Sequence, residues 1–151
     1  EDFHMTRTLF PLAVIILAGS MAALQAPMNA ALGAGLGSGT AAATISFGVG
    51  FAVLLVVITF SGDLPNLARA WDVNGWLLIG GLLGAFYVWA ILWTIPVLGV
   101  VTAVSGMILG QLVVALIMDA VGPFGLPTTA ITPQRMLAVA MVAGGLVLSK
   151  A

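Results

Sequence analysis

Residues 24–39, LQAPMNAALGAGLGSG, bring two amide side chains, a proline and several glycines into an otherwise apolar region. Gln25 and Asn29 are four residues apart, which puts them on nearly the same face of a helix. Pro27 has no backbone N–H, so the carbonyl of Ala23 loses its helical partner, and we expect the helix to bend or open. In lipid, broken backbone is tolerated only where it is buried in protein or lines a cavity. The stretch therefore predicts an inward-facing polar spot near one end of a first membrane helix, followed by a turn.

The composition is that of an integral membrane protein. Of the 151 residues, 62% are hydrophobic and 6% are charged, whereas soluble domains carry roughly 25% charged residues. The mean hydropathy is +1.23. We expect the first five residues, EDFHM, to be a cloning-site remnant that ends at the natural start, Met5. Residues 6–151 are then expected to form a single transmembrane domain.

Several kinds of chemistry lack the side chains that they need. Cysteine is absent, which excludes disulfides, thiol catalysis and cysteine metal sites. The single histidine, His4, falls in the expected remnant, and the sequence shows no carboxylate cluster, metal-ligand spacing or phosphate loop. A net charge of −1 does not supply the basic surface that nucleic acid requires. We therefore expect no enzymatic activity, no metal or other cofactor and no nucleic-acid partner.

Five apolar runs approach the length of about 20 residues with which a helix crosses a bilayer. A glycine turn joins the first two runs, and Pro96 with Gly99 makes a tight turn between the third and the fourth. Thr132 and Pro133 fit an N-cap and a first-turn proline that open the last and shortest helix. The sequence therefore predicts an all-α bundle of five transmembrane helices. The runs are residues 9–32, 40–60, 74–95, 97–121 and 134–149.

The arginines predict the orientation of the chain. Alternating spans place Arg7, Arg69 and Arg135 on one side of the membrane and Lys150 on the other. The positive-inside rule then predicts a cytoplasmic amino terminus and an external carboxyl terminus.

Aromatic residues flank the third span. Trp71 and Trp76 bracket its start, and Trp89 and Trp93 lie towards its end, as expected for anchoring at both membrane interfaces. Trp93 and the nearby Tyr87 are the two for which we expect a role in binding instead.

A third amide, Gln111, lies in the fourth span. Neutral amides in membrane helices often serve only to join helices, a contact worth roughly 0.6 to 2 kcal/mol. Three amides that converge on one cavity would form a binding site, whereas three scattered amides would be structural contacts. The candidate substrate-binding residues are Gln25, Asn29, Gln111, Tyr87 and Trp93.

Asp119 is the only carboxylate within an apolar run. A charged aspartate costs on the order of 3 kcal/mol at the centre of a bilayer and much less near an interface. Asp119 lies near the end of its span, so the simpler interpretation is an interfacial charge that meets Arg135 or Arg69. The alternative is a proton-coupling site.

Several segments together resemble one family. QAPMNAALG, TISFGVG, GGLLGAFYVW and ILGQLVVALIMDAVGPFGLP, with a final short apolar helix, resemble the YdcZ-like inner-membrane exporters of the drug/metabolite transporter superfamily, over nearly all the chain from about Leu9. The resemblance implies a multi-pass protein of the bacterial inner membrane, related to half of a ten-helix transporter. Small multidrug exporters of this superfamily bind cations and protons with a first-helix glutamate, but this chain has no acidic residue between Met5 and Gly62. The expected pocket therefore suits a neutral or zwitterionic metabolite.

The expected assembly follows from the odd number of spans. Transporter sites often form where two inverted repeats meet near the membrane midplane. A five-helix unit would supply one repeat, so we expect a homodimer, with an antiparallel arrangement as one form, or a heterodimer with a paralogue. The expected function is export of a small organic solute by alternating access. A non-transporting membrane subunit or scaffold, and a passive channel, are the alternatives that the sequence leaves open.

Overall fold

The computed structural model describes residues 2–150, with side chains from residue 9 to residue 150. The expected cloning remnant and the side chain of Arg7 lie outside the described side chains. The described chain is helical, which confirms the all-α class. Its α-helices are α1 (Asp2–Leu36), α2 (Gly39–Ser61), α3 (Gly80–Leu98), α4 (Val100–Val121) and α5 (Pro133–Leu148), with short 3-10 helices at Leu64–Trp71, Gly75–Ile79 and Pro123–Gly125.

Within the described residues, four segments are long and apolar enough to cross a membrane: Leu9–Leu36, Gly39–Ser61, Gly75–Leu98 and Val100–Val121. The fifth helix, α5, has 16 residues, fewer than the about 20 that a span needs. The number of five transmembrane spans and the relation to half of a ten-helix transporter therefore stay predictions, as does the orientation of the amino terminus.

The helix boundaries differ from the predicted ones at two turns. The helix α1 is continuous through Pro27 and ends at Leu36, so the chain does not leave the helix at the proline, and a bend there stays a prediction. At the other turn, Pro96 lies inside α3. Gly99, at φ 77°, is the single residue between α3 and α4.

The chain divides into two compact units, Glu1–Pro96 and Val97–Ala151. In the first unit α1 and α2 form an antiparallel hairpin. Gly37 has φ 65°, and the backbone N–H of Ser38 donates to the carbonyl of Gly33 at 3.0 Å, which is the Schellman arrangement at a helix end. The hydroxyl of Ser38 then accepts from the N–H of Ala41 and caps α2. The expected glycine turn is therefore present but shorter than predicted.

Small residues bring the first unit together. Ala42 and Ala43 of α2 are buried with Val88 and Leu92 of α3. A Cβ added to Gly33 would lie 3.4 Å from the Cα of Gly39 and 3.6 Å from the Cβ of Ala42. The hairpin thus depends on the close approach of two helix backbones, as small residues allow in membrane helices.

The second unit is also an antiparallel helix pair. The hydroxyl of Thr102, near the start of α4, donates to the carbonyl of Ser149 at 3.2 Å, just after α5 ends. At the other end Thr132 caps α5 by accepting from the N–H of Arg135, which confirms the predicted N-cap. Pro133 follows as the first residue of the helix.

A bulky residue at Gly33 is expected to force α1 and α2 apart. Gly33→Leu should lower the stability of the detergent-solubilised protein by about 1–3 kcal/mol, the usual cost of overpacking. Gly35→Leu is the matched control because nothing lies within 4 Å of a Cβ at Gly35. Thermal unfolding followed by tryptophan fluorescence measures both variants, and equal melting temperatures for the two would contradict the close approach.

Candidate functional site

Ser46 of α2 brings together the two amides of α1. The side-chain amide nitrogen of Asn29 donates to the Ser46 hydroxyl oxygen at 3.1 Å. The side-chain amide nitrogen of Gln25 donates to the same oxygen at 3.3 Å. A hydroxyl oxygen has two lone pairs and one proton, so Ser46 accepts both amides and keeps its own O–H available for a further partner.

The hairpin explains why these side chains meet. Asn29 lies nine residues before Ser38 and Ser46 lies eight residues after it. At 1.5 Å per residue both are about 12–14 Å from the turn, so they lie at the same depth on antiparallel helices. Gln25 is about one helical turn further from the hairpin, and its longer side chain reaches back to the same hydroxyl.

The cluster of Gln25, Asn29 and Ser46 lies within the apolar part of the hairpin. Ser46 is the eighth of the 23 residues of α2. When α2 spans a hydrocarbon layer about 30 Å thick, this position falls inside the layer. Polar groups at such depth are tolerated where they face protein or a cavity.

The cluster keeps hydrogen-bonding capacity for another molecule. Asn29 is 8% exposed and Gln25 is exposed. The two amide carbonyl oxygens accept no hydrogen bond from the residues that the structure describes, and none of the described side-chain N or O atoms is both buried and unpartnered. The free acceptors are therefore reachable from outside the protein.

A groove opens beside the cluster. It has a volume of about 390 Å³, and Gln25 and Ser46 of the cluster line it, whereas Asn29 lies behind them as their hydrogen-bond neighbour. Phe47 and Phe51 of α2 and Val88 of α3 supply its apolar wall, together with Gly50 and Leu54. The groove combines a few hydrogen-bonding groups with aromatic surface, which is the usual composition of small-molecule sites.

Of the other predicted binding residues in the first unit, Tyr87 and Trp93 do not line this groove. Tyr87 is half-buried and packs against the cluster of Ala42, Ala43, Val88 and Leu92. Trp93 is 67% exposed and is not among the groove residues. Gln111 is exposed on α4, in the second unit. Roles for these three side chains in binding stay predictions.

Sequence reasoning did not assign Ser46 to the site. The signal that could have identified it is its distance from the turn. Two polar residues at nearly equal distances before and after a helical turn are expected to face each other, as Asn29 and Ser46 do.

Asp119 pairs with Arg135, one of the two arginines that the sequence placed near it. The two side chains are joined at 2.8 Å, with Arg135 40% and Asp119 47% exposed. The backbone carbonyl of Asp119 also accepts from the N–H of Thr129 at 2.7 Å. An ion pair this exposed contributes about 0–1 kcal/mol. The ion pair joins the first turn of α5 to the end of α4, and the Thr129 hydrogen bond ties the intervening loop to the same residue. A proton-coupling role for Asp119 stays an untested alternative.

The helical architecture, with four segments able to cross a bilayer, defines a multi-pass membrane protein. Residues 10–148 match the sequence model of a family described as "Putative inner membrane exporter, YdcZ". The chain belongs to this family, which confirms the resemblance carried by its motifs. No curated protein and no solved structure gives a significant match to the chain.

Removal of the Ser46 hydroxyl should leave both amides without their partner. We expect Ser46→Ala to lower stability by about 1 kcal/mol, the scale of interhelical hydrogen bonds in membranes. Ser20→Ala is the matched control, because the Ser20 hydroxyl donates to the Ile16 carbonyl of its own helix. Thermal unfolding in one detergent compares the variants. A loss in Ser20→Ala as large as in Ser46→Ala would contradict the interhelical role.

Proposed function

We propose that this protein carries a small neutral or zwitterionic organic solute across the inner membrane, and that Gln25, Asn29 and Ser46 bind the solute. Membership of an inner-membrane exporter family supports transport as the class of function. The observation that carries the choice of site is the convergence of two amides on one hydroxyl beside an open groove.

The absence of charge around the cluster supports the proposed solute class. Residues 9–61 include no Asp, Glu, Lys or Arg. A solute with net charge would need a counter-charge at this depth, since an isolated ion in the bilayer is costly. A neutral or zwitterionic solute needs mainly hydrogen-bond partners, which the amide carbonyls, the remaining amide N–H groups and the Ser46 hydroxyl supply.

The groove supports a solute with a planar or apolar part. The volume of about 390 Å³ is within the usual range for small-molecule pockets, roughly 300–1,000 Å³. Phe47 and Phe51 supply aromatic surface against which a planar group would pack. The amides then fix the orientation of the polar end of the solute.

The position of the cluster also supports alternating access. A site inside the hydrocarbon layer has to open to one side at a time for export. The groove is not enclosed by this chain, so a second copy, or a paralogue, would complete it in the proposed dimer. Gln111, Tyr87 and Trp93 are further candidate contacts in that assembly.

Ligand binding is expected to depend on Asn29. The purified protein should be screened by thermal shift against uncharged nucleosides, sugars and zwitterionic amino acids, because a ligand that prefers the folded state raises the melting temperature. Asn29→Leu should weaken a hit about tenfold, the effect of one lost hydrogen bond. Thr44→Val is the control, since the Thr44 hydroxyl donates to the Thr40 carbonyl of its own helix. A hit that Asn29→Leu leaves unchanged would contradict the site.

Transport itself is tested with the same compound in proteoliposomes. We expect uptake of the radiolabelled hit to fall to background in the double variant Gln25→Leu, Asn29→Leu and to persist in Thr44→Val. Binding without uptake in the unaltered protein would contradict transport and favour a non-transporting subunit.

A further inference from the structure

A second groove lies at the far end of α2. The 3-10 helix Leu64–Trp71 follows α2 and places Leu67 against it, leaving an apolar groove of about 460 Å³. Phe51, Leu54 and Ile58 line the groove along α2, and Ser61 and Asp63 lie at its end. The groove is therefore apolar along its length and carries a carboxylate at one end.

The carboxylate of Asp63 is held in place by neutral donors. Its Oδ2 accepts from the hydroxyl of Ser61 at 3.1 Å, and its Oδ1 accepts from the side-chain amide of Asn66 at 3.0 Å. Arg69 belongs to the same segment but forms no salt bridge with Asp63, since the salt bridge among the described residues joins Asp119 and Arg135. A carboxylate has about four acceptor positions, so Asp63 retains capacity for a cationic donor.

The end of α2 adds to the negative potential at this point. The last carbonyls of a helix carry the negative end of its dipole, and cations are favoured there. No Lys or Arg lies in the last turn of α2. Both the carboxylate and the end of the helix therefore favour a cationic group at this position.

The length of the groove matches part of an acyl chain. Phe51 and Ser61 are ten residues apart on one helix, which is about 15 Å. This is half of a hydrocarbon layer about 30 Å thick, the depth of one leaflet. Phe51 and Leu54 also line the groove beside Ser46, so a chain that fills the second groove ends next to the solute site.

We propose that this second groove binds a phospholipid with a primary ammonium head group, phosphatidylethanolamine, with one acyl chain along α2 and the ammonium at Asp63. The ammonium donates hydrogen bonds to the free acceptor positions of the carboxylate. Phosphatidylcholine has no N–H to donate, and phosphatidylglycerol brings a net negative charge to a carboxylate. The groove therefore distinguishes head groups rather than holding lipid in general.

The test is native mass spectrometry of the full chain, released from micelles with equal amounts of phosphatidylethanolamine, phosphatidylcholine and phosphatidylglycerol. The unaltered protein should retain phosphatidylethanolamine preferentially. Asp63→Asn should reduce that retention about threefold, the scale of one exposed ionic contact, leave phosphatidylcholine unchanged, and raise the retention of phosphatidylglycerol because the like charge is removed. Asp72→Asn is the control, because Asp72 is an exposed carboxylate of the same loop outside the groove.

A second pair of variants tests the apolar part. Val57 lines the groove and Val56 does not, and both side chains are 56% exposed. Val57→Trp should displace the lipid, and Val56→Trp should not. Equal retention of the three lipids, an equal effect of Asp63→Asn and Asp72→Asn, or disulfide cross-linking of two copies through Val57→Cys would overturn the proposal.

Discussion

A polar side chain in hydrocarbon has to find a partner in the protein or in a water-filled cavity, and the structure of the first unit depends on this constraint. Gln25 and Asn29 meet it by sharing the hydroxyl of Ser46. The contact requires α1 and α2 to form a close antiparallel hairpin. Gly33 permits the close approach of the two helices, and Gly37 adopts the positive φ of the turn between them. Packing and hydrogen bonding therefore select the same arrangement of the two helices.

The sequence predicted the helical class and most helix positions, because long apolar runs separated by turns have few other solutions in a membrane. It also identified Gln25 and Asn29 as a pair. It missed Ser46 because hydropathy alone does not show which residues face each other across a hairpin. Whether Ser46 lies opposite Asn29 depends on where the turn falls. It placed the start of that turn too early, because α1 continues to Leu36 and both Gly33 and Gly35 lie inside the helix. The second helix packs against Gly33, and a Cβ at Gly35 would meet nothing within 4 Å.

Family membership supports transport as the class of function, and the hairpin supports a place for the proposed solute. The family gives the membrane and the class of function. The hairpin adds a place where a solute would bind, an uncharged lining and an aromatic wall. The ion pair of Asp119 with Arg135 lies in the other unit, partly exposed, where it joins α4 to the start of α5. Its geometry is that of a structural tie between two helices.

A solute site beside Ser46 requires that its groove be open to water inside the membrane, and single cysteines test this directly. The chain has no cysteine, and a Cβ at Gly50 or Gly48 meets nothing within 4 Å. Gly50 lines the groove and Gly48 does not. A thiol reacts as the thiolate, which needs a polar environment. A membrane-impermeant thiosulfonate reagent should therefore label Gly50→Cys in native membranes much faster than Gly48→Cys. Equal rates, or no labelling of Gly50→Cys until the protein is denatured, would contradict the account.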